Sequence, residues 1–156
     1  MQSAVVGFPR VGKQRELKFA SEKYFRGELD EKELFKTAEE LRKEHWEWQK
    51  ANGIQYISSN DFSFYDGVLD TAVLLNVIPE CYRNLGMSEI DTYFAMARGY
   101  QGKAGDVPAL AMKKWFNTNY HYIVPEIEKE TKIQLKGNKP FEEYREAKSL
   151  GCLLYT

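Results

Sequence analysis

Two short stretches carry side chains suited to holding a flat, negatively charged ligand. The first, Arg10-Val11-Gly12-Lys13-Gln14-Arg15-Glu16-Leu17-Lys18, gathers cations where a strand is expected to hand over to a helix. Backbone amides at a helix start, together with Lys and Arg, can hold a multiply charged carboxylate. The plainer reading is a solvated helix entry, because both residue types abound on surfaces. The Gly-x-x-x-x-Gly-Lys-Ser/Thr spacing of a nucleotide phosphate loop is missing. The second stretch is Lys113-Lys114-Trp115-Phe116-Asn117-Thr118-Asn119-Tyr120-His121-Tyr122-Ile123-Val124-Pro125-Glu126. Trp115, Phe116, Tyr120 and Tyr122 offer ring faces to a heteroaromatic group, Asn117 and Asn119 can read its hydrogen-bonding edge, and Lys114 can meet a carboxylate. The alternative is that the rings are core and the asparagines cap a turn. Stacking on single-stranded nucleic acid would use the same rings, but no wide basic groove accompanies them.

Other chemistry-bearing residues are sparser. Asp61 could orient a polar ligand or take part in proton transfer; a helix cap and solvated faces explain Asp66 and Asp70 equally well. His45 falls on the apolar stripe of a helix and reads as an interior histidine. His121 neighbours the aromatic cluster, too far along the chain from His45 to make a metal motif. Cys81 and Cys152 lack Cys-x-x-Cys spacing and read as thiols, with neither a disulfide framework nor a zinc site suggested. No nucleophilic triad is visible.

The elements that must position these groups follow from pattern. Ala4-Val5-Val6-Gly7-Phe8-Pro9 reads as a short buried strand stopped by Gly and Pro. A first helix is expected from Arg15 to Gly27, and a second from Asp30 to Gly53, opened by Asp30 three residues before Glu33. Residues 54–59 alternate as a strand and lead into Asn60-Asp61-Phe62-Ser63. Helices are expected over 66–77, from Ser88 to Gly99, and from Pro140 to Leu150. The glycine-rich segment 99–106 reads as a flexible surface connection, His121–Glu126 as a third strand, and 131–135 as a short further one. Strands alternating with helices argue for a parallel α/β sheet whose polar groups collect beyond the strand C-terminal ends, here at Pro9-Arg10, Asn60-Asp61 and Pro125-Glu126. Three parallel strands cannot close a barrel, so the sheet is open or the chain is a piece of one.

With 156 residues and 43% apolar content, one globular domain is the expectation. A net charge of -1 provides no overall field for nucleic acid or an anionic membrane, so any anion site must be local. The lack of a long apolar run or a secretory leader makes a cytoplasmic location the default.

Five segments in one order now bear on function: Gly7-Phe8-Pro9-Arg10-Val11-Gly12, Arg15-Glu16-Leu17-Lys18, Ser59-Asn60-Asp61-Phe62-Ser63-Phe64-Tyr65-Asp66, residues 91–99 (DTYFAMARG) and residues 114–122 (KWFNTNYHY). Together they resemble the N-terminal region of cobalamin-independent methionine synthase, over about residues 4 to 151. The resemblance implies a methyltransferase that moves a methyl group from 5-methyltetrahydropteroyltriglutamate to homocysteine, built of two (β/α)8 barrels. For this chain it implies a partial (β/α)8 TIM-type barrel of about three to four parallel strands with flanking helices. Residues 1–151 would form the N-terminal part of the folate-side barrel, and 152–156 a tail outside the family pattern. It implies folate contacts at Arg15, Glu16, Leu17, Lys18 and Lys114, beside a pocket composed of Asp61, Trp115, Asn117, Asn119 and Tyr120. The family's zinc and homocysteine site are expected in a C-terminal barrel absent from this chain, leaving no catalytic residue, metal or cofactor to assign here. The piece alone is expected to be inactive. Its uncovered edges favour a homodimer or domain-swapped assembly, with no nucleic acid or membrane partner. Alternatives are a stand-alone folate- or pterin-binding module and a structural remnant that self-associates.

Overall fold

A computed structural model describes residues 2–152 and 154–155. The chain divides into two compact units, one made of residues 1–64 and 139–156, the other of Tyr65–Asn138.

In the first unit, helix α1 spans Glu16–Phe25 and α2 spans Glu31–Ala51. The start of α2 is set locally: the Asp30 side chain accepts from the Glu33 N–H, and the Glu33 side chain accepts from the Asp30 N–H. That reciprocal box satisfies two of the amides a helix start leaves unpaired. Leu34, Ala38, Leu41, His45 and Trp46 lie on the buried face of α2. Leu17 of α1 joins Ala38, Leu41 and Phe62 in one apolar cluster, and Trp46, Ile57 and Ala147 form another. Strand β1, Ile57–Ser58, precedes the Asn60-Asp61 loop. The last helix of this unit, Lys139–Ser149, is designated α6 in chain order; Arg42 of α2 reaches its Glu146 at 2.9 Å, and Lys139 reaches Glu143 at 3.0 Å.

In the second unit, α3 (Gly67–Leu74), the single turn α4 (Glu80–Arg83) and α5 (Glu89–Arg98) are followed by hairpins β2–β3 (Tyr100–Gly102 with Gly105–Val107) and β4–β5 (Met112–Lys114 with His121–Ile123). Asp66, 1% exposed, joins two of these elements. Its Oδ1 accepts from the Val68 and Leu69 N–H groups at the start of α3, and its Oδ2 accepts from the Ile123 N–H on β5 at 3.0 Å.

The expected partial (β/α)8 barrel is not formed. The described strands, two or three residues each, make three separate two-stranded sheets, of which β2–β3 and β4–β5 are antiparallel. Among the described residues, parallel pairing is confined to β1 with β6 (Leu154–Tyr155) and to the Ala4–Tyr56 bridge, far short of three to four parallel strands. The reason is local. Trp115 N–H donates to Tyr120 O and Thr118 N–H to Trp115 O, closing a tight turn that pairs residues 121–123 with their near neighbours 112–114. The strand expected at 4–9 is reduced to that one bridge, and the segment 99–106, expected as a flexible connection, is a hairpin. Residues 131–135 form no strand; Gln134 N–H donates to Leu75 O instead. Among the described residues, no helix is long and apolar enough to cross a membrane.

Candidate functional site

The cationic loop of the first unit is built around Gly12. Its φ of 84° is readily adopted only by glycine. A Cβ here would collide with Glu16 Oε2 and stand 2.8 Å from Leu41 Cδ2. The Glu16 carboxylate therefore folds back over Gly12, and its Oε2 accepts from the Gln14 N–H at 3.0 Å. Arg15 N–H donates to Gly12 O and Leu17 N–H to Val11 O, completing a turn that delivers the chain into α1. Lys13 is held by an ion pair with Glu44 of α2, and each partner shifts the other's pKa towards the charged form, Lys13 up and Glu44 down.

The expected ligand-contacting run 15–18 is thus divided. Arg15 is exposed, sits in the left-handed region at φ 64°, and its guanidinium pairs with no carboxylate among the described residues. Glu16 is turned inward on its own loop. Leu17 is core, so only its backbone remains for a ligand. Lys18 is exposed, 3.7 Å from Glu22 one turn on, a weak and solvated pair.

Asp61 ties two loops together, its Oδ2 accepting from the Phe8 N–H at 2.7 Å. Phe8 in turn meets His45 at a tilt (ring centroids 4.7 Å, planes 40° apart) and Trp48 edge-on (5.4 Å). Burial lowers the His45 pKa, against the charges of Glu44, Asp61 and Glu16 that raise it. A cavity of about 10 Å³ lies among Phe8, Arg42, His45, Gln49 and Asp61. It has room for about one water molecule, not a pterin ring.

In the second unit, Lys114 ends β4 opposite His121 and is exposed, also without a carboxylate partner among the described residues. Trp115, Asn117, Asn119 and Tyr120, four of the expected pocket residues, lie together in the exposed β4–β5 turn. Trp115 meets Phe116 and Tyr122 edge-on, at 5.3 and 5.6 Å between ring centroids. Phe116 stands 81% exposed with a left-handed φ of 51°. His121 Nδ1 donates to Asn119 O at 3.0 Å. This turn is a surface projection of aromatic edges and cations, and Asp61, the fifth pocket residue, belongs to the other unit.

Pattern reading passed over Gly12 and Gln14. A glycine just ahead of a helix is the signal that could have marked the turn. Asp70 was expected on a solvated face, whereas its carboxylate accepts from the Tyr93 hydroxyl at 2.7 Å. Among the described residues, no three His, Cys, Asp or Glu side chains gather in a way that could hold a metal ion.

The family model described as "Cobalamin-independent synthase, N-terminal domain" matches residues 2–154. Relatives named 5-methyltetrahydropteroyltriglutamate--homocysteine methyltransferase are 58% identical in Streptococcus suis over 151 residues, covering 97% of this chain and 20% of the relative. In Streptococcus gordonii the identity is 59% over 153 residues, covering 98% of this chain and 20% of the relative. The chain spans about a fifth of the length of these relatives. Because the family model, which describes an N-terminal domain, covers nearly every residue, from the Gly12 turn to α6, the chain belongs to the cobalamin-independent synthase family.

Proposed function

We propose that this chain is the folate-binding part of a methyltransferase that carries a methyl group from 5-methyltetrahydropteroyltriglutamate to homocysteine. The observation that carries this reading is the exposed Lys114 of the second unit, neutralised by no carboxylate among the described residues; in the first unit, taken by itself, Arg15 is likewise exposed and unneutralised. Cations left unpaired suit a polyanionic tail, and charge-assisted bonds to carboxylates are the stronger kind. Exposed aromatic edges at Trp115 and Phe116 offer a flat ligand a surface next to Lys114.

The reaction needs a sulfur nucleophile and an activating metal, for which the residues described here do not fit: no three candidate ligands come together. In this reading zinc belongs to a C-terminal part of the family architecture, together with the homocysteine site. The role left to these residues is binding and orientation, and the chain alone is proposed to bind without turnover, at a cytoplasmic location.

Calorimetric titration with pteroyltriglutamate and with its monoglutamate tests the reading. The triglutamate should bind more tightly, lose affinity with added salt, and weaken at least about tenfold when Arg15 or Lys114 becomes Ala, since a bond to a charged group contributes about 1.5–3 kcal/mol. Equal affinity for both compounds, or none for either, sinks it. Exposed Phe35, Trp48 and Phe141 on the first unit favour a second feature of the same reading, self-association of the chain.

A further inference from the structure

The run Arg15-Glu16-Leu17-Lys18 places a negative charge in the middle of a stretch read as receiving a negative ligand. A carboxylate touching a polyanionic tail would repel it, so either Glu16 points elsewhere or the reading of the run is wrong. The side chain does point elsewhere. Its Oε2 accepts from the Gln14 N–H at 3.0 Å and lies where a Cβ at position 12 would have to be.

We propose that Glu16 is a positioning residue, whose carboxylate holds the Gly12–Arg15 turn and through it the placement of Arg15 and Lys18, and that it makes no contact with ligand. This rests on the folate reading above. Three features of the turn support it. Gly12 is the only residue type that leaves the carboxylate its seat, because any side chain there would meet both Glu16 and Leu41. Arg15 occupies the left-handed region at φ 64° and ψ 37° without a side-chain cap on α1, so this conformation, unfavourable for an L-residue, has to be held by its surroundings. Leu17, buried against Ala38 and Leu41, anchors the far side of the turn. Between the anchored Leu17 and the Lys13–Glu44 pair, the Gln14–Glu16 hydrogen bond pins the middle.

The sign of the charge effect separates this proposal from a ligand contact. Glu16→Gln retains an acceptor oxygen and the side-chain length while removing the charge; Glu16→Ala removes both. Measured on the 156-residue chain with pteroyltriglutamate as probe, Glu16→Gln should keep the dissociation constant within about twofold, and Glu16→Ala should weaken it at least about fivefold. In the Glu16→Ala background, adding Lys18→Ala should cost less than it does in the unaltered chain, because the two act through one turn. Amide hydrogen exchange at Gln14 gives a readout that needs no ligand: faster by at least about fivefold in Glu16→Ala and close to unchanged in Glu16→Gln. Gly12→Ala, if it folds, should resemble Glu16→Ala at both readouts.

Tighter binding by Glu16→Gln of about tenfold or more would mean that the carboxylate faces the ligand, and would overturn the proposal. So would Gln and Ala variants of equal affinity, or a Gln14 amide indifferent to Glu16→Ala. If no variant and not even the unaltered chain binds the probe, the folate reading falls, and the Gln14 exchange rates alone decide whether Glu16 holds the turn.

Discussion

The Phe8 N–H donates to Asp61 Oδ2 at 2.7 Å, joining loops 53 residues apart in the chain. The bond is part-buried and lies beside the Phe8–His45 ring contact, so its acceptor cannot be removed without stranding a donor. Asp61→Leu should lower unfolding stability by about 1–3 kcal/mol in urea titrations, and Asp61→Asn, which keeps an acceptor, by less. Equal losses would show that the bond contributes nothing beyond side-chain volume.

Asp66 should be the costliest single carboxylate to remove from the second unit. It satisfies Val68, Leu69 and Ile123 amides together, and Asp66→Ala would leave a helix start and a strand amide unpaired in a buried place. The expected loss is about 2–4 kcal/mol, read by thermal or urea unfolding, against about 0.5 kcal/mol or less for an exposed carboxylate such as Glu89.

His45 should make the chain less stable in mild acid. Burial lowers its folded pKa below the ordinary value of 6.5, so the unfolded chain takes up a proton there before the folded one does. The stability this contributes is present above pH 6.5 and is lost as pH falls through the lowered folded value. Urea midpoints taken from pH 7.5 downwards should fall, and His45→Gln should flatten that part of the profile.

Tyr93 acts at the other end of the scale. Burial first, then the Asp70 charge, push its phenol well above the ordinary value of 10.0. A group raised on folding contributes stability below its unfolded pKa and loses it as pH rises towards the folded one, so unfolding should become easier above pH 10. Tyr93→Phe should remove that alkaline dependence. At neutral pH it should cost about 1–3 kcal/mol, because the Tyr65 N–H that Tyr93 accepts at 2.9 Å loses its partner.

Self-association should be visible in light scattering as a dimer or larger species, and Trp48→Lys or Phe35→Glu, both at exposed apolar positions, should reduce it. A monodisperse monomer across the micromolar range would refute this.

Helices were legible in the sequence because their signals are local. Asp30 with Glu33, Asp66, and Ser88, whose hydroxyl accepts from the Asp91 N–H, mark the starts of α2, α3 and α5 within a single turn of chain. Strand partners were not. An alternating run such as 54–59 shows that a strand is favoured but not which neighbour it takes, and residues 121–123 took the near one. The glycines at 99, 102 and 105 concealed a hairpin: a Cβ at Gly102 would stand 2.6 Å from the Tyr100 hydroxyl, so the glycine there makes room for a ring. The cations at Arg15 and Lys18 in the first unit, and at Lys114 in the second, were readable from type alone. The inward turns of Glu16 and Leu17 were not, because they depend on Leu41, Ala38 and Phe62 from other elements.

Strand β1 meets Leu154 and Tyr155 in parallel register, and its unit draws on both ends of the chain. During synthesis the middle stretch Tyr65–Asn138 leaves the ribosome complete while the surrounding unit still waits for α6 and β6. A nascent chain halted before Lys139 has every residue of the inserted unit and only one side of its host, with Trp46, Ile57 and Arg42 still lacking Ala147 and Glu146.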